Sequence, residues 1–339
     1  MKNKIKTIVA LVMVMALAMA SLTGCGKSKA KASEKISVVA TIFPEYDWVK
    51  NIVKDNAEVD ITMLLDTGVD LHSYQPTADD ILKISTCDLF IYVGGESDEW
   101  VEDVLDKATN KNMKVLNLME VLGESVKEEE MKEGMQEDAE EHEHEHEDAD
   151  EENHEHEEEE IEYDEHVWLS LKNAEIICKK ISEEMSKIDS KNKDKYSKNS
   201  EEYIAKLKQL DEKYEQVCND SKVKTLLFGD RFPFRYMVED YDLDYYAAFV
   251  GCSAESEASF ETIKFLADKV DELNLKTILQ IESADGKIAN TIKKTTKAKD
   301  MEILTMNSMQ SVTSKDVENG DNYIGIMESN LEVLKKALE

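Results

Sequence analysis

The chain has 339 residues, and its 41 Lys+Arg face 74 Asp+Glu for a formal net charge of −33. That length suits two domains, or one large one, with room for sizeable cores. No basic stripe is available to neutralise phosphates, which argues against a nucleic-acid partner, and anionic lipid would repel the body. The charge is concentrated: Glu124 to Glu165 holds 24 acids and 2 lysines, a local net of −22, and the −11 left over is ordinary for a soluble protein.

Lys2, Lys4 and Lys6 precede an apolar run from Ile8 to Ala20, too short for a bilayer span and suited to a signal-peptide core. Leu22-Thr23-Gly24-Cys25 resembles a bacterial lipobox. Residues 1–24 therefore read as a signal peptide, Cys25 as the lipidated mature N-terminus, and 25–35 as a Lys/Ser/Ala tether. The expected location is extracytoplasmic, lipid-anchored to the outer face of the bacterial cell membrane. Four further cysteines, Cys87, Cys178, Cys218 and Cys252, permit three disulfide pairings or none; their wide spacing favours small buried side chains.

Residues 36–170 read as a first α/β lobe. Strands are expected at Ile36–Ile42, Val59–Leu64, Asp88–Val93 and Lys114–Leu118, with helices at Tyr46–Val53, after Pro76, and at Val101–Ala108. Residues 171–218 read as linking helices: they contain no Pro or Gly, and the polar stretch Asp189–Asp194 divides two helical faces. Residues 219–339 repeat the alternation as a second lobe. Its strands are expected at Val223–Phe228, Asp244–Phe249, Lys276–Ile281 and Glu302–Met306. Its helices are expected at Phe234–Tyr241, Phe260–Leu273, Lys287–Thr296 and Tyr323–Leu338. The fold class is α/β, two lobes with mostly parallel sheets joined by a long rigid helix.

Within residues 124–162, His142, His144, His146, His154 and His156 alternate with acids. The tract is too polar to offset its chain entropy by burial and is expected to be a disordered loop. Five of the seven histidines lie there, which points to auxiliary capture of divalent metal by imidazole and carboxylate. His142-Glu143-His144-Glu145-His146 matches H-E-x-x-H, but the stretch has no apolar face to build a protease helix, and alternation makes the match automatic.

His72 lies in Gly68-Val69-Asp70-Leu71-His72-Ser73-Tyr74-Gln75-Pro76-Thr77, a loop beyond a strand end, where α/β sheets bind ligands. His166 lies in His166-Val167-Trp168-Leu169, where the acidic tract ends. G-x-D-x-H-x-Y-x-P-T followed by H-V-W-L resembles the metal-binding solute-binding lipoproteins of zinc and manganese ABC importers, the cluster A-I family, in its zinc type with a His-rich loop. The resemblance covers essentially the whole mature chain. It implies one metal held in a cleft between the lobes, with His72 and His166 as first-lobe ligands. The second lobe departs from the family pattern, which has His or Glu after the first strand and an acid after the last. Here Gly229 and Asn307 stand at those places. Asp230 is then the nearest third ligand and Asn307 the fourth, with Cys252, Glu255, Glu257 and Glu282 as further candidates. Arg231 and Arg235, the only arginines, suggest a specific ion pair, with Asp230 as a partner for Arg231.

The resemblance implies capture of Zn2+ as transported substrate and its delivery to an ABC permease by a monomeric, non-enzymatic receptor. Nitrogen ligands and the His-rich loop favour Zn2+ over Mn2+. Affinity should fall below about pH 6 as the imidazoles protonate. The alternatives are a Mn2+ receptor, a surface adhesin, and a zinc hydrolase using Glu165 or Glu255 as base.

Overall fold

The computed structural model describes residues 35–136, 162–253, 257–298 and 300–339. The signal peptide, Cys25, most of the tether, the five tract histidines and Glu255 lie outside the described residues.

The first lobe holds strands β1 (Ile36–Ala40), β2 (Val59–Met63), β3 (Leu89–Tyr92) and β4 (Lys114–Asn117), all parallel, in the order β2-β1-β3-β4. Its helices are α1 (Phe43–Val53), α2 (Ala78–Thr86), α3 (Trp100–Asp106) and α4 (Leu118–Leu122). Helix α1 starts earlier than expected because Pro44 sits in its first turn, where a missing N–H costs nothing. Thr77 and Asp80 form a reciprocal cap at the start of α2.

Two packed helices follow, α5 (Leu171–Ile188) and α6 (Lys193–Asp220), the latter about 42 Å long at 1.5 Å per residue. The second lobe repeats the first in topology: β5 (Thr225–Phe232), β6 (Asp244–Val250), β7 (Thr277–Ile281) and β8 (Glu302–Met306), parallel, in the order β6-β5-β7-β8. Helices α7 (Arg235–Asp240), α8 (Phe260–Leu273), α9 (Lys287–Thr295), α10 (Ser314–Asn319) and α11 (Tyr323–Ala337) complete it. Strand β5 runs four residues beyond the expected end, through Gly229-Asp230-Arg231-Phe232, with a register irregularity between Phe228 and Arg231.

The lobes share one apolar core. It runs from Val38 and Trp48 through Ile177 and Leu207 to Phe228, Phe232 and Met306; a smaller cluster lies under α8 and α9. Helix α11 returns to the first lobe, where Tyr323 meets Trp48 edge-on at 5.2 Å and its amide donates to Asp47. Cys87, Cys178, Cys218 and Cys252 are free thiols, the first three within this core.

The disorder expected from residue 124 does not hold for residues 124–136. Residues 126–136 form an ordered strap across the second lobe. The Lys127 amide donates to Tyr236 Oη, Glu130 meets Arg235 and Tyr245, and the Gln136 amide donates to the Ala248 carbonyl on edge strand β6. Glu128 bridges Tyr163. Local composition reads as too polar to order, but the partners lie over a hundred residues away.

Glu45, wholly buried in the first turn of α1, accepts from the Thr41 amide and hydroxyl and the Ile42 amide through Oε2. Its Oε1 has no partner among the described residues. Burial, then the nearby Asp98, pushes its pKa up to about 8. A raised acid holds its proton in the folded state after the unfolded chain has lost it. The stabilisation is complete below the unfolded value of 4.5 and is lost as pH rises through about 8. Urea unfolding should therefore show stability declining across that window, by about 1.4 kcal/mol per unit at most. Glu45→Gln, a mimic of the neutral acid, should flatten the decline.

Candidate metal site

His72 sits in a single 3-10 turn, Leu71–Ser73, beyond the C-terminal end of β2. Asp70 caps the turn by accepting the His72 amide at 3.1 Å. His166 opens the turn Val167–Leu169 and is fully buried. Asp164 holds it twice, accepting its amide at 2.8 Å and lying 3.1 Å from its Nδ1. A carboxylate only accepts, so His166 carries its proton on Nδ1 and presents a lone pair at Nε2. His72 Nδ1 lies 2.8 Å from Ser97 Oγ and 3.5 Å from Glu165 Oε2.

Both rings thus turn Nε2 toward the same point, and the two Nε2 atoms stand 3.2 Å apart. Two nitrogens on one tetrahedral Zn2+, at about 2.0–2.1 Å each, stand about 3.3 Å apart. The spacing therefore fits a shared ion with little adjustment. Burial, then the charge on His166, lowers the His72 pKa to about 3, so this ring is neutral at ordinary pH. Burial pulls His166 down too, but the Asp164 carboxylate outweighs it and the net shift is upward. The loss of affinity expected in mild acid thus falls on His166 rather than on both rings.

The second-lobe candidates are placed differently from expectation. Asp230 does not converge with the histidines: its two oxygens accept the amides of Arg231 and Ile281. Asn307 is a turn residue whose Oδ1 accepts the Met309 amide at 2.7 Å, with Met309 at positive φ. Glu282 accepts from Ser308 and Ser311. Cys252, ranked below Asp230 from the sequence, instead follows β6, and its Sγ and the histidine nitrogens all lie within 4.8 Å of one another. Gly251 makes this approach feasible, because a Cβ there would stand 3.0 Å from the His166 ring and 2.9 Å from the Phe232 carbonyl. No sequence signal marked that turn as facing His166, since the contact spans the two lobes.

Gly229 has its own cause. A Cβ there would lie 2.7 Å from the Ala289 Cα, so helix α9 occupies the space a side chain would need. Gly229→Ala is expected to lower stability by about 1–3 kcal/mol in urea unfolding, through overpacking.

Arg231 reaches across the cleft to Asp70 rather than to Asp230. Its Nη2 pairs with Asp70 Oδ2, and its Nη1 donates to the Ser253 carbonyl at 3.4 Å. Burial alone would raise the Asp70 pKa, and the guanidinium outweighs it to hold the carboxyl below the usual range. One side chain therefore ties the turn bearing His72 to the turn bearing Cys252, along one wall of a cleft of about 380 Å³. Arg231→Leu leaves Asp70 without its partner and frees both turns. Zinc competition titration should show an affinity loss of about 10–100-fold, as for other outer-shell changes. Arg231→Lys, a point charge in place of a fork, should recover only part of it.

The family described as zinc-uptake complex component A, periplasmic, matches residues 38–337. The high-affinity zinc uptake system protein ZnuA of Bacillus subtilis is 34% identical over 305 residues, covering 90% of this chain and 88% of that protein. The zinc-binding protein AdcA of Streptococcus pyogenes is 29% identical over 308 residues, 90% of this chain but 56% of AdcA, so the chain spans little more than half of that relative. The crystal structure of the Zn(II)-bound ZnuA-like domain of Streptococcus pneumoniae AdcA has a TM-score of 0.67 and 27% identity, covering 90% of this chain and 99% of that one. With a match running from the first strand into the last helix, the chain belongs to the ZnuA family of zinc-uptake component A proteins.

Proposed function

We propose that this chain captures Zn2+ outside the cytoplasm and delivers it to the permease of an ABC importer, as a receptor tethered through a lipid on Cys25. The observation that carries the reading is the opposed pair of imidazoles. His72 and His166 present Nε2 to one point at 3.2 Å, with each Nδ1 engaged from behind. Such outer contacts orient metal-binding histidines and raise their basicity. Nitrogen donors suit Zn2+ better than Mn2+. The zinc named in the relatives supports the same choice. In this reading 36–170 and 219–339 are the two lobes, and the histidines of the 137–161 tract collect metal ahead of the cleft.

The receptor reading is preferred over a zinc hydrolase. A catalytic site needs a base beside the open position of the metal. Glu165 lies on the Nδ1 side of His72, behind the ring, and its Oε1 already accepts the Ser97 amide. Release then needs only that the lobes part slightly, because the shared apolar core limits larger motion.

Calorimetric or chelator-competition titration tests this on the chain with and without residues 137–161. That deletion spares the ordered strap. One tight zinc should survive the deletion. His72→Ala with His166→Ala should then weaken it by more than the roughly 10–100-fold typical of outer-shell changes. At a free zinc of 100 times Kd, the protein should gain about 2.7 kcal/mol of stability, and the double variant should not. Unchanged affinity in the double variant would overturn the reading.

A further inference from the structure

We propose that Cys252 supplies the second lobe's ligand to the bound ion, as a thiolate, so that the cleft is a two-nitrogen, one-sulfur centre. The inference rests on His72 and His166 taking the ion, as proposed above, and adds what the second lobe gives it.

Four observations lead there. First, the usual second-lobe positions are poorly suited: Gly229 has no side chain, and Asp230, Glu282 and Asn307 already accept from neighbouring groups and do not converge with the histidines. An ion held by His72 and His166 alone would touch only the first lobe. Second, His72, His166 and Cys252 are the one group among the described residues in which three His, Cys, Asp or Glu donor atoms converge within 4.8 Å. A tetrahedral zinc with about 2.05 Å to nitrogen and 2.3 Å to sulfur sets an N–S separation of about 3.6 Å. Closing a gap of 4.8 Å or less to that value takes about 1 Å of side-chain movement.

Third, the Cys252 turn is built against the histidines. Gly251 lets the backbone abut the His166 ring, Glu129 accepts the Cys252 amide at 3.1 Å, and Arg231 holds the Ser253 carbonyl. Fourth, Cys252 differs from the other thiols. Cys87, Cys178 and Cys218 fill the apolar core, whereas Cys252 is not part of either apolar cluster. Binding is balanced by loss of the thiol proton: Cys–SH and Zn2+ give Cys–S–Zn+ and H+. A thiolate also tilts the site further from Mn2+, which prefers oxygen donors.

The test replaces zinc with Co2+ in the full mature chain. One sulfur-to-cobalt charge-transfer band per chain is expected in the near ultraviolet, and the acidic tract contributes none because it contains no cysteine. Cys252→Ser should abolish the band and weaken zinc binding at least tenfold. In the unsubstituted chain, zinc should slow alkylation of Cys252 by iodoacetamide, followed by peptide mapping. A missing band, a band that survives Cys252→Ser, or alkylation indifferent to zinc would each overturn the thiolate. If His72→Ala and His166→Ala still abolish tight zinc in those circumstances, the receptor reading stands without it. If zinc binding ignores the histidines, the receptor reading fails, and the thiolate proposal with it.

Discussion

Two buried imidazoles with their Nε2 atoms 3.2 Å apart are an unfavourable pair unless a proton or a cation lies between them. The surroundings are arranged to keep them there. Asp164 fixes His166 through both its amide and its Nδ1. Ser97 and Glu165 stand behind His72, and Asp70 caps its turn. Trp168, the next residue but one after His166 and 5.2 Å from its ring, is itself anchored by donating to the Ser308 carbonyl in the other lobe. A rigid frame of this kind trades folding free energy for a fixed approach of the two rings.

The same frame explains how the two lobes are held. Beside the strap, ties that cross between them include Ser314 to Asp66, Trp168 to Ser308, Tyr323 to Asp47, and Arg231 to Asp70. The apolar core is continuous beneath these ties. An ion held between the lobes, as proposed, would therefore be one link among several rather than the sole clasp between two free halves. Breaking the Arg231–Asp70 pair would expose two mostly buried charges to an unpaired state, which is costly, so the cleft resists wide opening.

Much of the fold was legible along the chain. Alternating buried strands and helices gave both lobes, and the break at Asp189–Asp194 separated α5 from α6. The two histidine turns were legible through their neighbours and spacing. What escaped were matters decided across the lobes. Gly229-Asp230-Arg231 reads as a loop but is strand, because β6 pairs beyond the irregularity. Residues 126–136 read as unstructured, yet Tyr236, Arg235 and Ala248 satisfy their polar groups. Asp230 and Asn307 carry the right atoms for metal binding, but backbone amides claim those atoms first. Cys252 reads both as a small buried residue and as one of several further ligand candidates, and nothing nearby in sequence singles it out by marking the turn that faces His166.

Helix α11 has a further consequence. Tyr323 is fully buried, packed on Trp48 and donating to the Trp168 carbonyl, so the last helix completes the core of the first lobe. A chain that emerges N-terminus first has released every strand of that lobe long before those residues follow. Until then the surface around Trp48 stays wet and sticky, a target for chaperones and proteases. Maturation must wait for the final turns of the polypeptide, and a product clipped near its C-terminus would betray itself to quality control before it ever met an ion.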